Sequence, residues 1–417
     1  MREAQSQPAI VIAGHTANFD ARGKLNPWTS WNAALDLEMN FYQSCPEDHG
    51  YPRFVLATFL DADWTPMPQR TDTIPATQNG MGILSYLKYH ELRGKQDLRY
   101  LETARAMGDY LVRESLTPRL GIYPAFTRST GTREKFPLPD DCGSQADRPY
   151  EIEPDKGGVT GHALLKLFAT AGGRAYLAQS LQNARVLAAN QNDGNALHSP
   201  WPFRVDYRNG EGRGPVSGNM TYVLRLYDEL LALGYEEFAA PRRSLWNWIT
   251  RFQIPSAAGD GSLFAQFFED HDTPTNRTAW APLNLARYLL EKRELLSHDW
   301  LPACATLIEF VRANFTHVEF GITVCHEQDE DKQAWGGINS TYGAVLALYA
   351  KANGSTVLAG EARAALDFTL YSIDEQGRPR DLFNNPAPGG WQEDAHTDVI
   401  HNYADAIGAF PEWGEAR

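Results

Sequence analysis

Carboxylates recur beside histidine, arginine and tryptophan at five places in this chain. The densest is the stretch from Cys325 to Trp335, where His326, Glu327, Asp329, Glu330, Asp331 and Lys332 precede Trp335 and a Gly336-Gly337 step. Glu151, Glu153 and Asp155 lead into Gly157-Gly158. Asp193, His198, Trp201, Arg204, Asp206 and Arg208 form a third group, and Glu269, Asp270, His271 and Asp272 run up to Arg277 and Trp280. Trp391, Glu393, Asp394, His396 and Asp398 form the last. A carboxylic acid held protonated beside a carboxylate that stays ionised is the pair that cleaves a glycosidic bond. Indole faces suit the C–H faces of sugar rings, and Asp, Asn and Arg suit their hydroxyls.

On that chemistry Asp155, Asp270, Glu327 and Asp329 are the candidate acids and bases. Trp280, Trp335 and Trp391 are candidate stacking surfaces, and Arg277 and His271 would orient the ligand. His198, Trp201, Arg204, Asp394 and His396 complete the candidate binding set. Each group also has a plainer reading as a solvated loop or helix cap, Asp398 as an N-cap above all. The Asp329-Glu330-Asp331 spacing admits a cation, but the glycine and terminal glutamate of an EF-hand loop are absent. There is no H-E-x-x-H run, no CxxC pair and no glycine-rich phosphate loop, so neither a metal nor a cofactor is expected.

The elements that must carry these groups are helical. From Ala76 onward the apolar spacing predicts pairs of helices, whose first members begin near Thr77, Gly158, Ser217, Asn276 and Gly336, with a last helix from Asp398. After a first step of about 81 residues, the starts recur about every 60, the mark of a repeat architecture. A helical hairpin cannot bury its apolar face alone, so such units stack. Five complete hairpins, an unpaired helix at 31–45 and another at 398–410 make six hairpins if the two ends pair. The prediction is an all-α, closed α/α toroid over 31–412, after an irregular segment at 1–30. Links within hairpins are short. Links between hairpins are long: 46–75, 115–157, 191–216, 253–275, 315–335 and 373–397. In an up-down ring every long link falls at the end bearing the inner-helix N-termini, and long links in compact domains are usually functional. All five chemical clusters sit on those links or just after them.

This pattern resembles the (α/α)6 toroid, or six-hairpin glycosidase-like, superfamily over about residues 30–412. The resemblance implies a carbohydrate ligand in a cleft at the long-link end, with carboxylates as the catalysts in its glycoside hydrolases. Related toroids include polysaccharide lyases and sugar epimerases.

The chain has 417 residues, 43% of them hydrophobic and 12% aromatic, enough for a large core. Its net charge of −14, without a Lys/Arg-rich run, argues against nucleic acid and anionic membranes as partners. No apolar run approaches the roughly 20 residues of a membrane span, and no signal peptide is visible at the start. The four separate cysteines read as isolated thiols. A cytoplasmic location is expected, or a periplasmic or secreted one if a signal has been removed. The leading expectation is a glycoside hydrolase. A uronate lyase or epimerase is the alternative, using His198, Arg204, Arg208, Asn219 and Tyr222 for proton abstraction beside a neutralised carboxylate. A non-catalytic sugar-binding toroid is the third reading.

Overall fold

The computed structural model describes residues 10–12, 15–45, 47–48, 50–52, 59–60, 75–129, 150–267, 273–293, 300–380, 391–392 and 396–415. Six helices form an inner ring: α2 (Pro75–Leu92), α4 (Pro154–Ala171), α6 (Thr221–Ala232), α9 (Trp280–Lys292), α11 (Gly336–Asn353) and α13 (His396–Ala409). Each packs on the next, and α13 packs back on α2, so the ring is closed. Outside it lie α1 (Trp31–Ser44), α3 (Leu98–Arg113), α5 (Arg174–Ala189), α10 (Trp300–Phe315) and α12 (Thr356–Thr369). The remaining outer rod is α7 (Ala239–Trp248), a π-helical turn (Ile249–Gln253) and α8 (Ile254–Ala257). This is the (α/α)6 toroid that the repeat predicts.

The two chain ends meet at Trp31. Its ring stands edge-on to Tyr403 of α13, 5.1 Å between centroids, and its Nε1 donates to Asp367 Oδ1 of α12 at 2.9 Å. The first thirty residues contain two short ribbons, Val11–Ile12 with His15–Thr16 and Asn18–Phe19 with Leu25–Asn26. Ile12 and Leu25 share a small apolar cluster with Phe368 and Tyr371, which fastens this segment to the end of α12.

Small residues let the inner helices approach closely. A Cβ on Gly158 of α4 would fall 2.6 Å from the backbone nitrogen of Val223 in α6, so no larger residue fits at that contact. On the other side of α4, a Cβ on Gly80 of α2 would lie 2.9 Å from Val159 Cγ1.

Three inner helices begin away from the predicted residues, for identifiable reasons. Pro154 takes the first helical position of α4, where its missing N–H costs nothing, so Asp155 and Lys156 lie inside the first turn. The backbone of Asn276, Arg277, Thr278 and Ala279 bonds instead to Gln266, Asp329, Phe264 and Glu327, which delays α9 to Trp280. Gly218 likewise bonds Gln266 O through its N–H and accepts from Gln253 Nε2, so α6 begins at Thr221. Phe59–Leu60 forms a short ribbon with Trp391–Gln392. Among the described residues, no helix is long and apolar enough to cross a membrane.

Candidate functional site

The N-terminus of α4 anchors the long-link end. Glu153, Asp155 and Lys156 are all buried there, at 0, 0 and 2% exposure. A three-stranded ribbon holds the approach: Glu151–Ile152 pairs with Arg204–Asp206, which pairs with Gly212–Arg213. That register brings the fully buried Arg204 to Glu153, with Nη2 3.2 Å from Oε1. Arg213 grips Glu151, with Nε 2.9 Å from Oε1. Asp155 sits in the first helical turn, where the helix dipole favours a negative charge.

From Lys156 a chain of contacts crosses to two further links. Lys156 Nζ donates to Phe267 O at 3.2 Å and stands 4.0 Å from the centre of its ring. Phe267, half-buried, stacks on Trp280 at 6.4 Å and 20°. Trp280 Nε1 donates to Glu327 Oε1 at 3.2 Å. Gln266, just before Phe267, has a φ of 53°, rare for a side chain larger than glycine. Its Oε1 accepts from Val216 N at 3.0 Å and its carbonyl from Gly218 N, so the unusual backbone is held on several sides.

The acidic loop is stitched to the start of α9. Ala279 N donates to Glu327 O at 2.8 Å and Asp329 N to Arg277 O at 3.1 Å. Arg277 grips Asp329 with a fork, Nε to Oδ2 at 2.8 Å and Nη2 to Oδ1 at 3.0 Å, the strong bidentate form. Burial opposes the Asp329 charge, but the Arg277 bonds outweigh it and hold the carboxyl below its ordinary range. Asp331 Oδ2 accepts from Trp335 Nε1 at 2.9 Å, which fixes the indole at the start of α11. Exposure along the loop alternates, with His326 and Gln328 buried and Glu327 and Asp329 partly open, as an extended segment requires. His326 is pushed down to about 4 by burial and by the nearby Lys332 and His317, so its ring is neutral at pH 7.

The other candidates fall in different settings. Trp201 is fully buried, its Nε1 donating to Leu187 O at 3.1 Å. His198 is exposed and bonds Asn195 Oδ1 at 3.3 Å, and Arg208 is exposed on Asp206. Asn219 is buried before α6, and Tyr222 lines the ring axis. Thus His198, Arg208 and the buried Arg204 hold separate local partners. Asp270, His271 and Asp394 lie outside the described residues, as do the side chains of Trp391 and His396. Trp391 forms a strand pair with Leu60, and His396 opens α13.

Two residues at this end carried no signal of their own. Gln78 and Asn79, in the first turn of α2, are buried at 1% and 0% exposure, and none of their four amide atoms has a hydrogen-bond partner. Each such group costs about 1–3 kcal/mol. The only hint in the sequence was an amide pair among small residues at a helix start.

The closed ring of six hairpins, its long links gathered at one end, is the (α/α)6 toroid, the fold of the six-hairpin glycosidase-like superfamily. No protein-family model matches the sequence, and no curated protein matches it. Solved structures do. The chain is similar to a D-mannose isomerase at a TM-score of 0.65 and 11% identity, covering 91% of this chain and 97% of that one. It is similar to the cellobiose 2-epimerase of Spirochaeta thermophila at 0.64 and 13%, covering 91% and 94%. A family 76 glycoside hydrolase from a bovine Bacteroides thetaiotaomicron strain matches at 0.62 and 13%, covering 92% and 78%. At these identities the likeness is one of fold.

Proposed function

We propose that this protein is a carbohydrate-active enzyme, a glycoside hydrolase acting at the long-link end of the toroid. The observation that carries the reading is the continuous path Lys156, Phe267, Trp280, Glu327, with Asp155 beside Lys156 in the first turn of α4. It joins three links and sets a partly open aromatic ring beside the partly open Glu327, with the buried Asp155 next to the start of the path. Asp155 and Glu327 are the acid and base, with Asp270 a third candidate. Asp329 is occupied by Arg277 and positions the loop. Phe267 offers the open ring face, Trp280 holds Glu327 through its N–H, and Trp335 and Trp391 remain candidate stacking surfaces. Arg277 supplies contacts to hydroxyls, with His271, His198, Asp394 and His396 as further candidates, while Arg204 holds Glu153 at the start of α4.

A second reading, a sugar epimerase or isomerase, draws support from His401 and from the similarity to an isomerase and an epimerase. Burial above all, against the opposing pull of Asp405, pushes His401 down to about 3, and its Nδ1 has no partner. A neutral imidazole is a competent base for C–H proton transfer. Proton NMR of incubations with oligosaccharides, free aldoses and polyuronides separates the readings. Hydrolysis gives new reducing-end signals, epimerisation a changed sugar without cleavage, and elimination an unsaturated product. Loss of hydrolysis in Asp155→Asn and Glu327→Gln, both still folded, is expected. Full activity in both refutes the assignment.

A further inference from the structure

We propose that the axis of the toroid holds a second site, opening at the short-link end, which binds a small oxyanion, a phosphate or a carboxylate. A cavity of about 320 Å³ lies there, lined from α2, α4, α6, α9 and α13. That volume is within the range of small-molecule pockets. It sits away from Asp155 and Trp280, toward the C-terminal halves of the inner helices.

The wall of this cavity is built from ion pairs that leave a cation over. Lys166 Nζ lies 2.5 Å from Glu229 Oε1, Lys88 Nζ lies 3.0 Å from Asp405 Oδ1, and Arg225 pairs with Glu291. Arg287, 4% exposed, is the fourth cation beside three carboxylates and shares Asp405 with Lys88. It donates through Nη2 to Asn402 Oδ1, and its Nε lies 3.7 Å from the Asp405 carboxylate that Lys88 already holds. Among the described residues no hydrogen bond engages Nη1. Tyr222 lines the same cavity at 7% exposure, and among the described residues its hydroxyl makes no hydrogen bond. Burial and the Asp398 carboxylate push that phenol up, and Arg225 and Arg287 pull it the other way against Glu291. Lys95 and Lys292 stand at the mouth, where Glu91 is the facing acid.

Cations at helix C-termini have an ordinary explanation, since they offset the negative end of the helix dipole. That accounts for Lys292 and Lys95 but not for Arg287 or Tyr222, which lie within their helices and point inward. A buried guanidinium and phenol with donors to spare, in a chain of net charge −14, match an oxyanion ligand. The site is independent of the hydrolase reading at the other end, whereas the epimerase reading would place its base, His401, in this same wall.

The test is isothermal titration at low ionic strength with inorganic phosphate in one arm and glucuronate in the other. The variants are Lys95→Gln, exposed, with Lys292→Gln, half-buried, and Tyr222→Phe, which removes only the hydroxyl. The wild type is expected to bind one equivalent of one probe, and at least fivefold more weakly in the double variant and in Tyr222→Phe. Binding of phosphate alone identifies a phosphate site, and binding of glucuronate alone a sugar-acid site. No binding of either probe at millimolar concentration, or affinity unchanged in both variants, overturns the proposal.

Discussion

Replacing Asp367 by asparagine should make this protein more stable at alkaline pH. Asp367 lies in α12 with 3% of its side chain exposed, and its Oδ1 accepts the Trp31 indole N–H at 2.9 Å where the ends of the ring meet. Burial pushes its carboxyl from the ordinary 3.8 up to about 6, while the Trp31 bond and Arg363, at 3.7 Å, pull the other way. The sign follows from linkage. Below about pH 4 the group is protonated in folded and unfolded chains alike and its contribution is intact. Between about 4 and 6 the unfolded chain ionises first and stability falls. Above 6 the full loss stands, about 3 kcal/mol at 1.36 kcal/mol per pH unit. Asparagine keeps the acceptor for Trp31 and carries no charge. Urea unfolding followed by tryptophan fluorescence should therefore give Asp367→Asn an advantage of about 2–3 kcal/mol at pH 8, narrowing to about 1 kcal/mol at pH 4.5. A variant equal to or weaker than wild type at pH 8 would refute the reasoning, because it would mean that Arg363 stabilises the buried charge.

Glu229 should behave in the opposite sense. Burial opposes its charge, yet His162 and Lys166 pull its carboxyl down to about 2, so it stabilises the fold above about pH 4.5 and the gain fades as pH falls toward 2. Glu229→Gln should cost about 2–3 kcal/mol at pH 7 and progressively less in acid, read by the same unfolding assay. Gly158→Ala forces a Cβ against the backbone of α6 and should cost about 2 kcal/mol or more, seen as a lower thermal midpoint with the pH profile unchanged.

The ring was legible because a hairpin repeating about every 60 residues leaves its period in the apolar pattern, and because the leftover helices at the two ends complement each other. Helix starts were less legible where loops compete for backbone bonds. Asn276 to Ala279 read as helical by composition, but partners in Phe264, Gln266, Glu327 and Asp329 draw them into bridges. The acid-rich links were visible as clusters, and their pairings were not. Nothing local says that Arg277 closes on Asp329 or that Trp280 reaches Glu327, 47 positions away. Nor does composition separate the buried Trp201 from the tryptophans of the rim, since both stand beside the same polar residue types. The axial cavity was invisible for a related reason: its cations are spread over four inner helices, and only closure of the ring gathers them.

The central claim is that a sugar is held at the long-link end beside Phe267 and Trp280, with Asp155 and Glu327 in reach. A crystal structure of Asp155→Asn soaked with an oligosaccharide that the wild type turns over tests it directly. The account predicts a sugar ring against the Phe267–Trp280 pair, with its glycosidic oxygen within hydrogen-bonding distance of residue 155 or Glu327. A substrate bound only in the short-link cavity, with the Phe267–Trp280 pair untouched, would contradict it.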